Sequence, residues 1–220
     1  MYFFTEAEEI IKVLGLFRGL WVVISLLRKR LWLKFSNVGY DYGYIVRWRK
    51  ISSRYRTRTA GVITHEIEIQ AMRDNVSHYQ GRYLRRSKSD LTVKSPHHEA
   101  HPTEVDNQFQ KFTIELEKIL TKGETTKIVM EVDWEDESHM RHPQSVFTPL
   151  CRTNSLEFVV IVPSHEKIIK AMGVVSHHPG MHMPMSRDQL SVNDGILTWK
   201  PHRADLLFAY KVTWEWSKDS

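Results

Sequence analysis

Twelve histidines are the first residues in this 220-residue chain that could do chemistry. Three groups stand out: His97, His98 and His101; His139 and His142; and His177, His178 and His182. Imidazole ligates metals and moves protons near neutral pH. The neighbours here are Pro, Ser and Met in segments that read as loops, and no HExxH helix occurs. Loop histidines on a mildly basic surface are therefore the expected reading. His165 precedes Glu166, but adjacent residues on a strand face opposite ways. The acids Asp133, Glu135, Asp136 and Glu137 would need a shaped loop to converge on a cation, and they read instead as a solvated strand end. Cys151 is the sole cysteine, which permits no internal disulfide and fits a reducing compartment. No Walker A loop, dinucleotide glycine pattern or GxSxG elbow is present. The motif survey thus yields no catalytic residue, no metal site and no cofactor. It favours a non-enzyme and ranks a histidine or carboxylate enzyme third.

Charge offers a second kind of chemistry. Residues 1–100 carry a net +9 and residues 101–220 a net −4. Ten cations lie between Arg28 and Arg58, opposed by Asp41 alone. Arg47, Arg49, Lys50, Arg54, Arg56 and Arg58 interleave with Trp48 and Tyr55. Such a stretch can bind an anionic ligand, hold nucleic-acid phosphates while stacking bases, or meet anionic lipid. Burial of its aromatics in a sheet is the competing reading.

The elements that would position these residues are strands. From residue 39 onward the apolar period is two: Tyr40, Tyr42 and Tyr44, then Ile67 and Ile69 between Glu66, Glu68 and Gln70. Asp74-Asn75 reads as a turn leading to a strand over 77–84. Phe112, Ile114 and Leu116, the turn at 121–124, and Ile128 to Trp134 read as an antiparallel hairpin. LEFVVIV at 156–162 reads as a central strand limited by Pro163. A short helix or another strand is expected from Ser164, and late strands over 196–199 and 206–216. Residues 85–108 read as a long polar loop. The expectation is a mainly β domain over 37–220, a β-sandwich or small barrel.

In front of it, residues 1–36 read as a hydrophobic helix. Thr5 and Glu8 form a capping box, and Arg28, Lys29 and Arg30 follow the apolar run. Leu14, Phe17, Trp21, Ile24 and Leu31 share one side of the wheel. Lys12 and Arg18 interrupt a span, so the helix can cross a bilayer, lie in its plane or pack on protein. GLFRG at 15–19 adds a face for close helix packing. A spanning helix with cations after Leu27 puts the β-domain on the cytoplasmic side; otherwise the expected location is cytoplasmic.

The order of the segments at 66–86, 112–132, 145–150, 156–164 and 206–216 resembles strand-rich accessory or sensor domains of bacterial signalling and antiviral-defence proteins. That resemblance implies a β-domain that recognises an effector beside membrane-associated helices. The reading that follows is a non-enzymatic assembly or ligand-sensing module recruited through its helix. A protein partner or homo-oligomer is expected, with anionic membrane a further contact. A basic nucleic-acid-binding β-domain is the alternative. Deleting residues 1–36 should leave the circular dichroism of the β-domain intact while removing membrane or partner association. Loss of β structure in the truncated chain would place the helix in the core instead.

Overall fold

The computed structural model describes residues 42–84, 88–94, 99–106, 109–136, 143–177, 184–202, 204, 206 and 208–217. The chain divides into two units, Met1–Val38 and Gly39–Ser220, and the described residues all fall in the second. The expected helix over 1–36, with Leu14, Phe17, Trp21, Ile24 and Leu31, lies outside them. No helix among the described residues is long and apolar enough to cross a membrane.

The body is mainly β. Its strands are β1 (Tyr44–Thr57), β2 (Ala60–Ala71), β3 (Val76–Leu84), β4 (Lys88–Val93), β5 (Glu99–Asp106), β6 (Phe109–Leu120), β7 (Thr125–Glu135), β8 (Gln144–Phe147), β9 (Leu156–Ile161), β10 (Ile168–His177), β11 (Pro184–Gln189), β12 (Val192–Asn193), β13 (Ile196–Trp199) and β14 (Phe208–Trp216). They form a large sheet in the order β12-β13-β9-β1-β2-β7-β4, a four-stranded sheet β11-β10-β14-β8 and a three-stranded sheet β3-β6-β5. Pairing is antiparallel except between β1 and β9.

Alternation along β1, β2 and β7 gives the large sheet one buried face. A register shift after Val46 lets Val46 and Arg49, three residues apart, both turn inward. The two smaller sheets cover different ends of this face. At one end Tyr79, Phe112, Ile114 and Leu120 pack on Tyr44, Ile67, Ile69, Ile128 and Met130. At the other, Ala171, Tyr210, Val212 and Trp214 pack on Tyr55, Trp134, Phe158, Val160 and Trp199. Tyr55 anchors this second cluster, with T-shaped contacts to Trp134, Trp214 and Trp216 at centroid distances of 5.3, 5.4 and 5.6 Å.

Two expectations need correction. The hairpin over 112–134 does not pair with itself: β6 joins β3 and β5, while β7 joins β2 and β4. The turn is real, since Glu124 N–H donates to Thr121 O, but Gly123 N–H donates to Ala71 O and Lys122 N–H to the Asp74 carboxylate. Those bonds tie the turn to the β2–β3 connection, where Asn75 takes a φ of 66°. At this corner both connections carry the chain between the large and three-stranded sheets. Period-two patterning identifies a strand but not its partner. The polar loop over 85–108 contains β4 and β5, whose edge positions require little apolar surface. Of the two readings after Ser164, the strand is the one found: a turn, with Glu166 N–H donating to Pro163 O, leads into β10 at Ile168.

Close packing at Gly173 gives the fold a sharp test. A Cβ there would stand inside the Trp199 indole ring atoms. Trp199 is buried and held by its indole N–H donating to Asp188 at 2.9 Å, so it cannot swing aside without losing that bond. Gly173→Ala should lower stability by about 1–3 kcal/mol in urea denaturation. In a Trp199→Phe background the same change should cost less; equal costs would show that the two sites do not meet.

Candidate functional site

Between the two covering sheets the middle of the large sheet stays open, as a cleft of about 780 Å³. Arg49 and His65 sit among its lining residues. Arg49 lies opposite Ile67 on β2 and Leu156 on β9; His65 lies opposite Ile51 on β1 and Met130 on β7. Ile51, Ile63, Val132 and Trp134 make the surrounding wall apolar. The three-stranded sheet contributes Tyr79, and the four-stranded sheet contributes Phe147, Val174, Lys211 and Thr213. The size and mixture of apolar wall and few polar groups suit a small ligand.

The electrostatics are one-sided. Arg49, Arg82, Arg187 and Lys211 line the cleft, and no Asp or Glu does so among the described residues. Arg49 is only 7% exposed. Its guanidinium lies 4.4 Å from the Phe147 ring centroid and 5.8 Å from that of Tyr79. One terminal nitrogen donates to the Tyr79 hydroxyl, and Nε has no hydrogen-bond partner among the described residues. A buried guanidinium is ordinarily matched by a carboxylate or phosphate, because leaving its charge unpaired costs on the order of several kcal/mol.

His65 is buried with Nδ1 unpartnered among the described residues. Burial first, and the nearby Arg49 charge second, push its pKa from 6.5 down to about 3. The ring is therefore neutral at physiological pH. Burial raises the Cys151 thiol to about 11, leaving it protonated and a poor nucleophile. Tyr79 is raised by burial, partly offset by Arg49.

The sequence-derived basic patch separates into two faces. Arg49 and Tyr55 point inward, Tyr55 into the aromatic cluster. Arg47, Lys50, Arg56 and Arg58 face outward. Arg47 meets Glu68 at 3.4 Å and Lys50 meets Glu66 at 3.3 Å. Arg56 makes a forked pair with Asp133, and Arg58 with Glu166, at 2.7–2.8 Å. Trp48 is half-buried and Arg54 exposed on the same strand. The histidine groups do not converge among the described residues: His101 lies 3.7 Å from Glu115, while His97, His98, His139, His142, His178 and His182 fall outside them. Among the described residues, no group of three or more His, Cys, Asp or Glu side chains could hold a metal.

Sequence reasoning named Arg49 but missed its direction, and missed His65, Tyr79, Phe147, Arg187 and Lys211 as site residues. A signal existed for two of them. Arg49 stands in phase with Ile51, Ser53 and Tyr55, and His65 with Ile63, Ile67 and Ile69, so each is a polar residue on an apolar face.

No protein-family model matches the chain, and no curated protein matches it in sequence. Solved structures are similar to it over part of their length, at low identity. A putative protease from Parabacteroides distasonis is 8% identical with a TM-score of 0.50, over 78% of this chain and 40% of that one. An M1 zinc metallopeptidase from Deinococcus radiodurans bound to a Tyr-Ser-Ala substrate is 13% identical with a TM-score of 0.42, over 80% and 43%. Yeast LTA4 hydrolase in complex with bestatin is 6% identical with a TM-score of 0.44, over 80% and 29%. The chain spans less than half the length of each. At a TM-score of 0.50, the fold is one that a protein described as a putative protease also contains. The expectation that the chain is more an interaction module than an enzyme is corrected on that ground, since the fold supplies no reason to exclude an enzyme.

The depressed His65 pKa fixes a pH dependence. The native ring stays neutral until about pH 3, whereas the unfolded ring protonates near 6.5. Its contribution is therefore constant above about pH 6.5 and is lost as pH falls toward about 3. Between about pH 7.5 and about pH 4, His65→Gln should remove about 3 kcal/mol of the acid-induced loss of stability. Urea midpoints at the two pH values check this; parallel losses in both proteins would show that His65 titrates normally.

Proposed function

We propose that the β body is a ligand-recognition domain whose ligand enters the cleft between the two covering sheets. The cleft of about 780 Å³ carries this reading: it is large enough for a small organic molecule and opens onto a mixed aromatic and cationic wall. An enzymatic setting belongs to the same proposal. The body would hold a substrate or effector, and a peptide-derived compound is the class suggested by the name of the putative protease that shares the fold. Effector sensing, as in the signalling and defence domains that the segment order resembles, is a second use of the same cleft.

The tether over 1–36 completes the proposal, bringing the body to a protein partner, a second copy or the cytoplasmic face of an anionic membrane. Nucleic-acid binding through residues 47–58 receives less support. Four of its outward cations already face carboxylates, and Tyr55 lies in the core.

A neutral apolar fluorophore, phenylnaphthylamine, tests the cleft without relying on charge. It should bind saturably at one site per chain, with energy transfer from Trp134 in the wall. Thr213→Trp, which fills the cleft from β14, should weaken binding roughly tenfold or more while the protein keeps its circular dichroism. Absence of saturable binding, or identical affinity in the filled variant, would remove the ligand-recognition reading.

A further inference from the structure

We infer that the cleft is an oxyanion site, in which Arg49 grips the carboxylate or phosphate head of a ligand whose apolar body lies against Ile63, Phe147 and Val174. The inference rests on the ligand-recognition reading and adds the chemical class of the ligand. Its basis is the arrangement of charge around one buried group. Arg49 is 7% exposed and held by two residues, Phe147 through its ring and Tyr79 through its ring and hydroxyl. None of these supplies negative charge at neutral pH, because burial raises the Tyr79 phenol further. Nε remains without a partner among the described residues. A guanidinium offers five donors in a fixed fork, and two parallel bonds to an oxyanion satisfy that geometry.

The rest of the lining agrees. Lys211, half-buried, and Arg187, exposed, add cations to the lining beside the buried one. They would raise the local concentration of an anion and slow its escape. His65, neutral and beside Arg49, adds no competing charge. A neutral hydrocarbon would leave the buried guanidinium unmatched. A cation would meet four like charges and no carboxylate among the described lining residues.

The purely architectural alternative is that Arg49 pins β1 to Phe147 and Tyr79. That role predicts a stability loss with no change in ligand discrimination. Two probes with the same ring skeleton separate the cases: anilinonaphthalene sulfonate carries an oxyanion, and phenylnaphthylamine does not. In the full chain the sulfonate should bind roughly tenfold more tightly, and Arg49→Gln should bring the ratio of the two affinities to about one. Arg49→Lys keeps the charge and stem but not the fork, and should retain part of the preference. Lys211→Gln, at a half-buried position, should lower the sulfonate association rate severalfold at low salt. Phenyl phosphate and phenylpropanoate should displace the sulfonate, whereas phenylpropanamide should not; the stronger displacer identifies the head group. Equal affinity for both probes, or a preference that survives Arg49→Gln, overturns the oxyanion site and leaves the cleft reading standing. Failure of both probes to bind overturns the two together.

Discussion

An apolar face longer than either of its covers is the constraint from which the rest of the molecule follows. β1 and β2 carry inward residues along more than ten positions, from Tyr44 to Tyr55 on β1 and from Gly61 to Ala71 on β2, and β7 continues the face from Ile128 to Trp134. The three-stranded sheet closes one end and the four-stranded sheet the other, each through its own cluster. Between them the face must either be filled by side chains or remain open. Arg49 and His65 occupy that interval, and their polarity marks where apolar packing stops.

The partition of charge follows from the same strand geometry. Successive residues of β1 alternate between a dry and a wet environment, so one basic run has two fates. On the wet face, antiparallel register brings Lys50 opposite Glu66, and Arg56 reaches Asp133 on β7. Those pairs neutralise the surface locally and add little stability, as exposed ion pairs do. On the dry face, the chain gives Arg49 aromatic neighbours and no acid among the described residues. Composition sees ten cations between residues 28 and 58. Among the described residues, the fold turns Arg49 into a cleft with no carboxylate beside it.

Much of the strand content was legible because burial on one face imposes period two. The inward residues of 62–72, 128–134 and 156–162 are all where alternation puts them. Partner choice was not legible, since it depends on long-range register; the turn at 121–124 looks like a hairpin and works as a corner. β4 and β5 escaped notice because edge strands bury too little to leave an apolar pattern. The site itself was half legible: Arg49 and His65 break apolar alternation, but Phe147 and Lys211 reach the cleft only through pairing of β8 and β14. No local spacing encodes that meeting.

The parallel pairing of β1 with β9 also has a kinetic meaning. Arg49 to Arg54 align with Leu156 to Ile161, on strands that are separated in sequence by β2 to β8. A large loop must close before that ladder gains any hydrogen bond, and such closures slow folding. The second cover is made from β8, β10, β11 and β14, all late in the chain, so the cleft acquires its far wall only after most of the sequence has found its place. Early compact states would then lack a complete binding surface. A ligand that needs both walls has nothing to hold until folding is nearly done, so its binding energy would lengthen the lifetime of the finished fold and leave the speed of assembly unchanged.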